Sequence, residues 1–284
     1  MIICSYNYAC HHSVKEDMKQ IKRMTALLIT AVLLILTPVS ALAASQEYVP
    51  TKAEFYELIG GTWVLQSEET YSYTKSGRIK SVTYKQTSGG SAYTYRYTWK
   101  GNYLKKQDDD YSSTTYNYKH KKLKSLVHYY KSSNKTSTFT VSWKKRNGTV
   151  YAENGAGGSI VVNKRNQMTK LTSNTSSGTR TESFKYFSNG NMKTETFFDS
   201  DSTESFRFHR KGYPLSYTSS NGYQETYSYK KKKGKITEEL ITEKNSSGAV
   251  YYYKKVFKKH KKISRSVRNC DAFGFLVMTP YMWD

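Results

Sequence analysis

Cysteine is scarce in this chain, and scarcest where it would matter. Of three in 284 residues, Cys4 and Cys10 lie ahead of the apolar run Thr25–Leu36. Lys19, Lys22 and Arg23 precede that run and Ala41-Leu42-Ala43 follows it, the layout of a secretory signal peptide with an A-x-A cleavage site. Residues 1–17 read as an upstream extension, 18–43 as the signal, and Ala44 as the mature start. Cleavage leaves Cys270 as the only thiol, which excludes an intramolecular disulfide, and no cysteine stands at the cleavage point to carry a lipid anchor. Packing and sheet hydrogen bonds must then hold the fold, and no transmembrane segment is expected after cleavage.

Catalytic groups in working arrangements are also missing. His120, His128, His209 and His260 are far apart, and none has a cysteine or carboxylate at metal-ligand or triad-like spacing, so each reads as a turn or sheet-face residue. Asp108-Asp109-Asp110 lacks the spaced ligands and terminal glutamate of a calcium loop and reads as a solvated turn. Cys270 reads as a small buried thiol. No catalytic residue, metal site or cofactor is expected, and the chain reads as a non-enzyme.

What is present is tyrosine, 27 residues of it, and positive charge. The formal net charge is +23, and +21 once residues 1–43 are removed. The tyrosines are ordered. An aromatic or β-branched pair around one intervening residue, then a short basic or glycine turn, then an apolar residue recurs at Tyr71-Ser-Tyr73, Tyr95-Arg-Tyr97, Tyr116-Asn-Tyr118, Val141-Ser-Trp143, Ile160-Val-Val162, Phe184-Lys-Tyr186, Phe206-Arg-Phe208 and Tyr227-Ser-Tyr229. A degenerate ninth copy lies around Phe257–Ile263.

Each copy holds two runs in which apolar residues alternate with Ser, Thr, Lys or Arg at the strand period, joined by a tight turn such as Ser76-Gly77, Lys100-Gly101, Asn147-Gly148 or Lys233-Gly234. The connections between copies, such as TSGGS (87–91) and NSSG (245–248), are too short for a crossover helix, so each strand pairs antiparallel with the next. The fold class is all-β: an up-and-down meander of about nine hairpins, roughly eighteen strands, forming an elongated twisted sheet, with a closed up-and-down barrel as the alternative. The hairpin domain spans 70–263. Residues 44–69 form an N-terminal cap in which Thr51 and Glu54 make a capping box for a short helix, and 264–284 form an apolar C-terminal cap.

Tyr71-Ser-Tyr73-Thr-Lys-Ser-Gly77-Arg78-Ile79 resembles the YD (RHS) repeat, and Tyr186-Phe-Ser-Asn-Gly190-Asn-Met192 resembles MORN-variant hairpin repeats. Thr74, Thr98 and Lys119 stand where the YD family has aspartate. Both resemblances imply a hairpin array and leave the partner open. Gly61-Thr62-Trp63 is similar to the G-x-W opening of lipocalin-like barrels, which implies a small apolar ligand.

Acid is absent from one place in particular. The nine tight-turn spans hold 28 Lys and Arg and no Asp or Glu, whereas the inter-repeat turns hold nine acids and four bases. In a meander all tight turns share one edge. Hairpins repeat about every 10 Å, close to the Debye length of about 8 Å, so the edge acts as one positive strip. Its candidate residues are Lys75, Arg78, Lys121, Lys122, Lys144, Lys145, Arg210, Lys211, Lys231, Lys232, Lys233, Lys258, Lys259 and Lys261. The aromatic face is Tyr71, Tyr73, Tyr95, Tyr97, Tyr116, Tyr118, Tyr186, Phe208, Tyr227 and Tyr229; cross-strand ring pairing explains it structurally, and a sugar platform is the functional alternative. The expectation is a monomeric, secreted binding protein, released or retained at the cell envelope, that holds an anionic envelope polymer or glycan, with non-specific nucleic acid as an allowed partner.

Overall fold

The computed structural model describes residues 47–152, 157–175, 178–199, 201–263 and 269–274. The chain divides into two units, 1–45 and 46–284, and everything described lies in the second. The expected leader, the upstream extension and residues 264–268 and 275–284 of the C-terminal cap fall outside the described residues.

Eighteen strands follow one another: β1 Glu47–Ile59, β2 Thr62–Tyr73, β3 Ile79–Gln86, β4 Tyr93–Lys100, β5 Tyr103–Asp108, β6 Ser112–Lys119, β7 Lys122–Tyr130, β8 Lys135–Lys144 and β9 Asn147–Ala152. The second half is β10 Gly157–Val162, β11 Met168–Thr175, β12 Gly178–Tyr186, β13 Met192–Phe198, β14 Thr203–Phe208, β15 Pro214–Ser219, β16 Gln224–Lys232, β17 Lys235–Lys244 and β18 Val250–Ile263. Each pairs antiparallel with its neighbours in the chain, and β1 pairs with both β2 and β18. The sheet is therefore closed into an up-and-down barrel, the alternative to the elongated sheet.

The helix expected at Thr51–Ile59 is instead the closing strand. A capping box satisfies two backbone donors, but residues 47–59 lie between two strands that would otherwise present open edges, and a strand there satisfies both. Period-two alternation fits the position. Ala53 and Phe55 point inward and are buried, while Lys52 and Glu54 point outward and pair with Glu68 at 3.0 Å and Lys258 at 2.7 Å. The degenerate ninth copy is explained by the same closure: its first strand is β18, and its second, β1, comes from the other end of the described chain. Lys258–Lys262 thus belong to a strand and not to a turn.

The repeated aromatics face inward, and in five hairpins an aromatic beside the tight turn has a specific task. Register shifts break the ladder just before Tyr73, Trp99, Tyr118, Tyr186 and Phe208, the bend expected of a bulge. Carbonyls near these points are then reached by aromatic tips from the following hairpin. Trp99 Nε1 donates to the Ile79 carbonyl at 2.8 Å, Trp143 Nε1 to Leu123 at 2.6 Å, Tyr229 OH to Pro214 at 2.8 Å, Tyr73 OH to Pro50 at 2.6 Å, and Tyr186 OH to Met168. Leaving such a buried carbonyl unpaired costs about 1–3 kcal/mol. In the ninth hairpin His260 replaces the aromatic, its Nε2 on the Ile236 carbonyl at 2.7 Å, so it is a repeat position and not a solvated residue.

The tight-turn end of the barrel is filled. In four hairpins the last turn residue folds inward, burying Arg78, Gln167, Asn191 and Tyr213. Asn269–Gly274 of the C-terminal segment then seats against them. Asp271 accepts hydrogen bonds from Leu104 N (3.0 Å), Tyr118 OH (3.0 Å), Phe273 N (2.9 Å) and Gly274 N (2.7 Å). Asn269 bonds Met192 N at 2.9 Å, and Phe273 meets the rings of Tyr118 and Trp143. Cys270 is fully buried, its thiol toward the Gly190 carbonyl at 3.4 Å. The described part of the apolar C-terminal segment is thus a plug.

Outside, the wall is hydroxylic and basic. Ser72–Ser81 (2.6 Å), Thr83–Thr94 (3.1 Å) and Thr196–Ser205 (3.4 Å) form cross-strand hydroxyl pairs, with Arg96, Lys170, Lys185 and Arg207 on the same outer face.

Candidate binding rim

Closure turns the expected basic strip into a ring around the plugged end. Two turn forms build it. The short form reverses the chain over two residues, as at Gly101-Asn102, His120-Lys121, Lys145-Arg146 and Lys233-Gly234. The longer form closes with two backbone bonds, as in Thr74 N to Arg78 O at 2.8 Å with Gly77 N to Thr74 O at 3.1 Å, and repeats at 163–167, 187–191 and 209–213. Gly148 was expected in the turn of its hairpin. It lies in β9 instead, where a Cβ would stand 2.8 Å from Val141 Cγ1 and 3.1 Å from the Trp143 ring; the turn itself uses Lys145 at a φ of 55°.

Neighbouring turns are laced together by side chains reaching carbonyls one repeat away. Arg165 Nη1 donates to the Ser188 carbonyl at 2.9 Å, Asn189 and Asn191 Nδ2 to the Arg210 carbonyl at 2.8 and 2.9 Å, and Arg78 Nη2 to Asn102 Oδ1 at 2.9 Å. The ring is thereby held at fixed spacing.

The candidate cations divide by how committed they are. Lys75, Lys121, Lys144, Lys145, Lys211, Lys232 and Lys233 are exposed in turns or at strand ends on the ring. Arg210 is exposed and reaches Ser188 Oγ at 3.3 Å. Lys231 is exposed but holds Tyr213 OH at 3.1 Å, and Lys122 lies over the Trp143 ring at 5.0 Å and donates to the Lys145 carbonyl. Arg78 does not belong to the surface: it is 7% exposed, with its guanidinium 4.6 Å from the Trp99 ring centre. Lys258, Lys259 and Lys261 lie on the wall in β18, Lys258 in the ion pair with Glu54.

Two residues not singled out in the sequence complete the site. Lys164 and Arg165 line a cavity of about 510 Å³ with Asn163, Gln167, Lys185 and Ser188, between the turns at 163–167 and 187–191. The Asn163-Lys164-Arg165 turn carried the signal, since it belongs to the same acid-free class. Positive side chains, amides and a hydroxyl around a shallow cavity can take an anion such as phosphate or carboxylate.

Of the aromatic face only Tyr186 borders this cavity. Tyr71, Tyr97, Tyr116 and Phe208 are buried, and Tyr73, Tyr95, Tyr118, Tyr186 and Tyr229 pack against the same core. Tyr227, on the inward face opposite Ile241, donates its hydroxyl to Glu225. Burial pushes the hydroxyls of Tyr116, Tyr118 and Tyr186 well above their ordinary range. Their faces are taken up by packing. Asp108–Asp110 organise their own turn: Asp109 accepts from Tyr111 N and Ser112 N at 2.8 and 2.6 Å, and Asp108 faces Lys106 and Lys131, each at 3.3 Å. Gly61-Thr62-Trp63 forms the β1–β2 turn and the start of β2, with Lys254 4.2 Å from the Trp63 ring centre.

No protein-family model and no curated protein sequence matches this chain. Among solved structures, a porin-like protein from Bacteroides uniformis is similar over 75% of this chain and 96% of its own, with a TM-score of 0.43 at 14% identity. A porin-like protein from Bacteroides vulgatus gives 0.28 at 8% over 75% and 99%. The structure of TcdB2-TccC3-TEV gives 0.27 at 10%, over 78% of this chain and 15% of that one. Likeness at this level says nothing of ligand or location.

Proposed function

We propose that this chain is an exported, non-enzymatic β-barrel that binds an anionic envelope polymer through the ring of lysines and arginines at its tight-turn end. The observation that carries the reading is the sorting of charge by turn class, with no Asp or Glu in the tight turns, made into a ring by the closure through β1. Solubility alone calls for charge of some kind on exposed turns and not for one sign at one end. The plug supports binding at the surface of that end and not passage through it. The polar outer wall supports a barrel that stands in water: membrane-spanning barrels carry an apolar band outward, where this one carries Arg96, Lys170, Lys185 and Arg207.

Retention of the full chain on a polyphosphate matrix, eluted with salt, tests the reading. Each neutralised site releases condensed counterions, so retention falls steeply as salt rises. Lys75, Lys121 and Lys144 are exposed on the ring and take part in no ion pair with a described residue; changing all three to Glu is expected to move elution to much lower salt. Changing Lys85, Lys135 and Lys244, exposed toward the opposite end, to Glu alters net charge equally and is expected to move it little. Equal losses in the two triples would show that net charge alone governs retention.

A further inference from the structure

The inner wall carries the opposite sign. Cross-strand register places Glu57, Glu69, Glu182, Glu195, Glu204, Glu225, Glu239 and Glu243 on the inward face. The outward glutamates Glu54, Glu68 and Glu238 each have a lysine, at 2.7, 3.0 and 2.7 Å. Among the described residues two cations reach the inward set: Lys255 on Glu69 at 3.1 Å, and Arg180 on Glu182 at 3.3 Å. Tyrosine hydroxyls serve others, as Tyr223 on Glu225 at 2.8 Å and Tyr229 on Glu239 at 2.7 Å. Glu195 is 6% exposed and has no described cation or hydroxyl in contact with it, with only the charge of Arg180 acting from further off against the neighbouring Glu182. Such a buried carboxyl is costly unless something arrives to pair with it.

The end of the barrel opposite the plug is where something can arrive. Inward-facing residues near the plug are buried, whereas Tyr130 and Tyr251, on the inward face at the inter-repeat end, are 47% and 42% exposed, and Tyr111, stacked on Tyr93 at 5.5 Å, is 68% exposed. Eight strands already make a barrel that side chains just fill, and eighteen enclose more room than that. Glu195, Glu204, Glu225 and Glu243 sit on β13, β14, β16 and β17, so carboxyls recur around the wall at intervals set by the strand spacing of about 4.8 Å. Phe197, Phe206 and Tyr217 lie among them, their rings 6.4 Å (Phe197–Phe206) and 4.5 Å (Phe206–Tyr217) apart.

We propose that this half of the barrel, which no described residue plugs, binds a linear aliphatic polyamine, its ammonium groups on Glu195 and Glu225 and its methylene spacers along the rings of Phe206 and Tyr217, since Arg180 already holds Glu182 and covers Phe197. Ring faces and carboxylates both attract ammonium ions, and short apolar spacers suit the rings between them. A divalent metal fits less well, because no group of three or more His, Cys, Asp or Glu converges to hold one among the described residues. The site is independent of the basic ring and opposite to it in sign. Since the chain as a whole repels cations, saturable uptake of one reports the local wall and not the net charge.

Calorimetric titration of spermidine into the full chain at pH 8 and low salt is the test. Saturable binding is expected, with none for 1,6-hexanediol, which has a similar apolar stem and no charge. Glu195→Gln is expected to weaken spermidine at least tenfold while leaving the barrel folded, because an amide is better tolerated at that position than an unpaired carboxylate. Asp110→Asn, at the acidic turn outside the lumen, is expected to leave affinity unchanged. Absence of saturation, affinity unaltered by Glu195→Gln, or affinity lost in Asp110→Asn and kept in Glu195→Gln would each overturn the proposal.

Discussion

Replacing Glu195 with glutamine is expected to stabilise the unliganded barrel above neutral pH and to do much less at pH 5. Burial, with the Glu182 carboxylate adding like-charge repulsion, pushes the Glu195 pKa up to about 7 from 4.5. The folded value lies above the unfolded one, so the unfolded chain releases this proton first as pH rises. Stability linked to the group is fully present below about pH 4.5 and is lost as pH passes about 7. At about 1.4 kcal/mol per pH unit, the gap amounts to about 3 kcal/mol. Glutamine is neutral throughout and resembles the protonated acid, so it removes the whole loss at pH 8 and only the small part of it already present at pH 5, about 1 kcal/mol. For a chain of this size the gain corresponds to a rise in melting temperature on the order of 6–10 °C at pH 8. Thermal unfolding of both proteins followed by circular dichroism at pH 5 and pH 8 measures it. The same difference at both pH values, or a glutamine variant that is less stable at pH 8, would refute the reasoning.

Three further outcomes concern the repeat and the plug. Gly148→Ala is expected to lower stability by about 1–3 kcal/mol through overpacking beneath Trp143, read as a lower denaturant midpoint with an altered near-ultraviolet signal. Trp99→Phe keeps a ring but removes the donor to the Ile79 carbonyl, and His260→Phe does the same at Ile236; each is expected to cost about 1–2 kcal/mol in chemical denaturation, and a loss at one site alone would mean that the two are not equivalent positions. Asp271→Ala leaves three backbone donors and the Tyr118 hydroxyl unpaired, and is expected to cost on the order of 3 kcal/mol and expose the segment around Asn269 to limited proteolysis.

The hairpins were legible in the sequence because alternation and turn chemistry are local signals. Eighteen strands, their antiparallel order and the common edge of the tight turns all follow from the spacing of Tyr-x-Tyr pairs and glycines. Closure was not legible, because it depends on a pairing between Glu47 and Ile263 that nothing near either residue announces. The capping pattern at Thr51 and Glu54 pointed to a helix for the same reason: a local motif was weighed without the two strand edges that surround it. Arg78 and Lys231 read as solvated turn cations because sequence gives turn position and not the direction in which a long side chain folds. Lys258–Lys262 resembled a ninth tight turn because its partner strand lies about 200 residues away. The inward glutamates carried a signal in principle. Glu182, Glu195, Glu204 and Glu225 each fall an even number of residues from an inward aromatic of the same strand, and Glu239 and Glu243 fall two residues from buried Ile241, so alternation places them once those residues are known to face in.

The distribution of side chains, more than the number of strands, decides what such a barrel is suited to. A spanning barrel places Lys or Arg on its outer face at a cost of about 2–4 kcal/mol each near the bilayer centre, and here Arg96, Lys170, Lys185 and Arg207 all stand outward. Those same cations are cheap in water. The inner wall inverts the rule again: aromatic rings fill the plugged half, while the other half gathers carboxyls that the rings and hydroxyls only partly satisfy. Packing alone would favour glutamine or leucine at Glu195. Retaining an ionisable group there, at a stability cost that grows with pH, is what a site built to receive a cation would require.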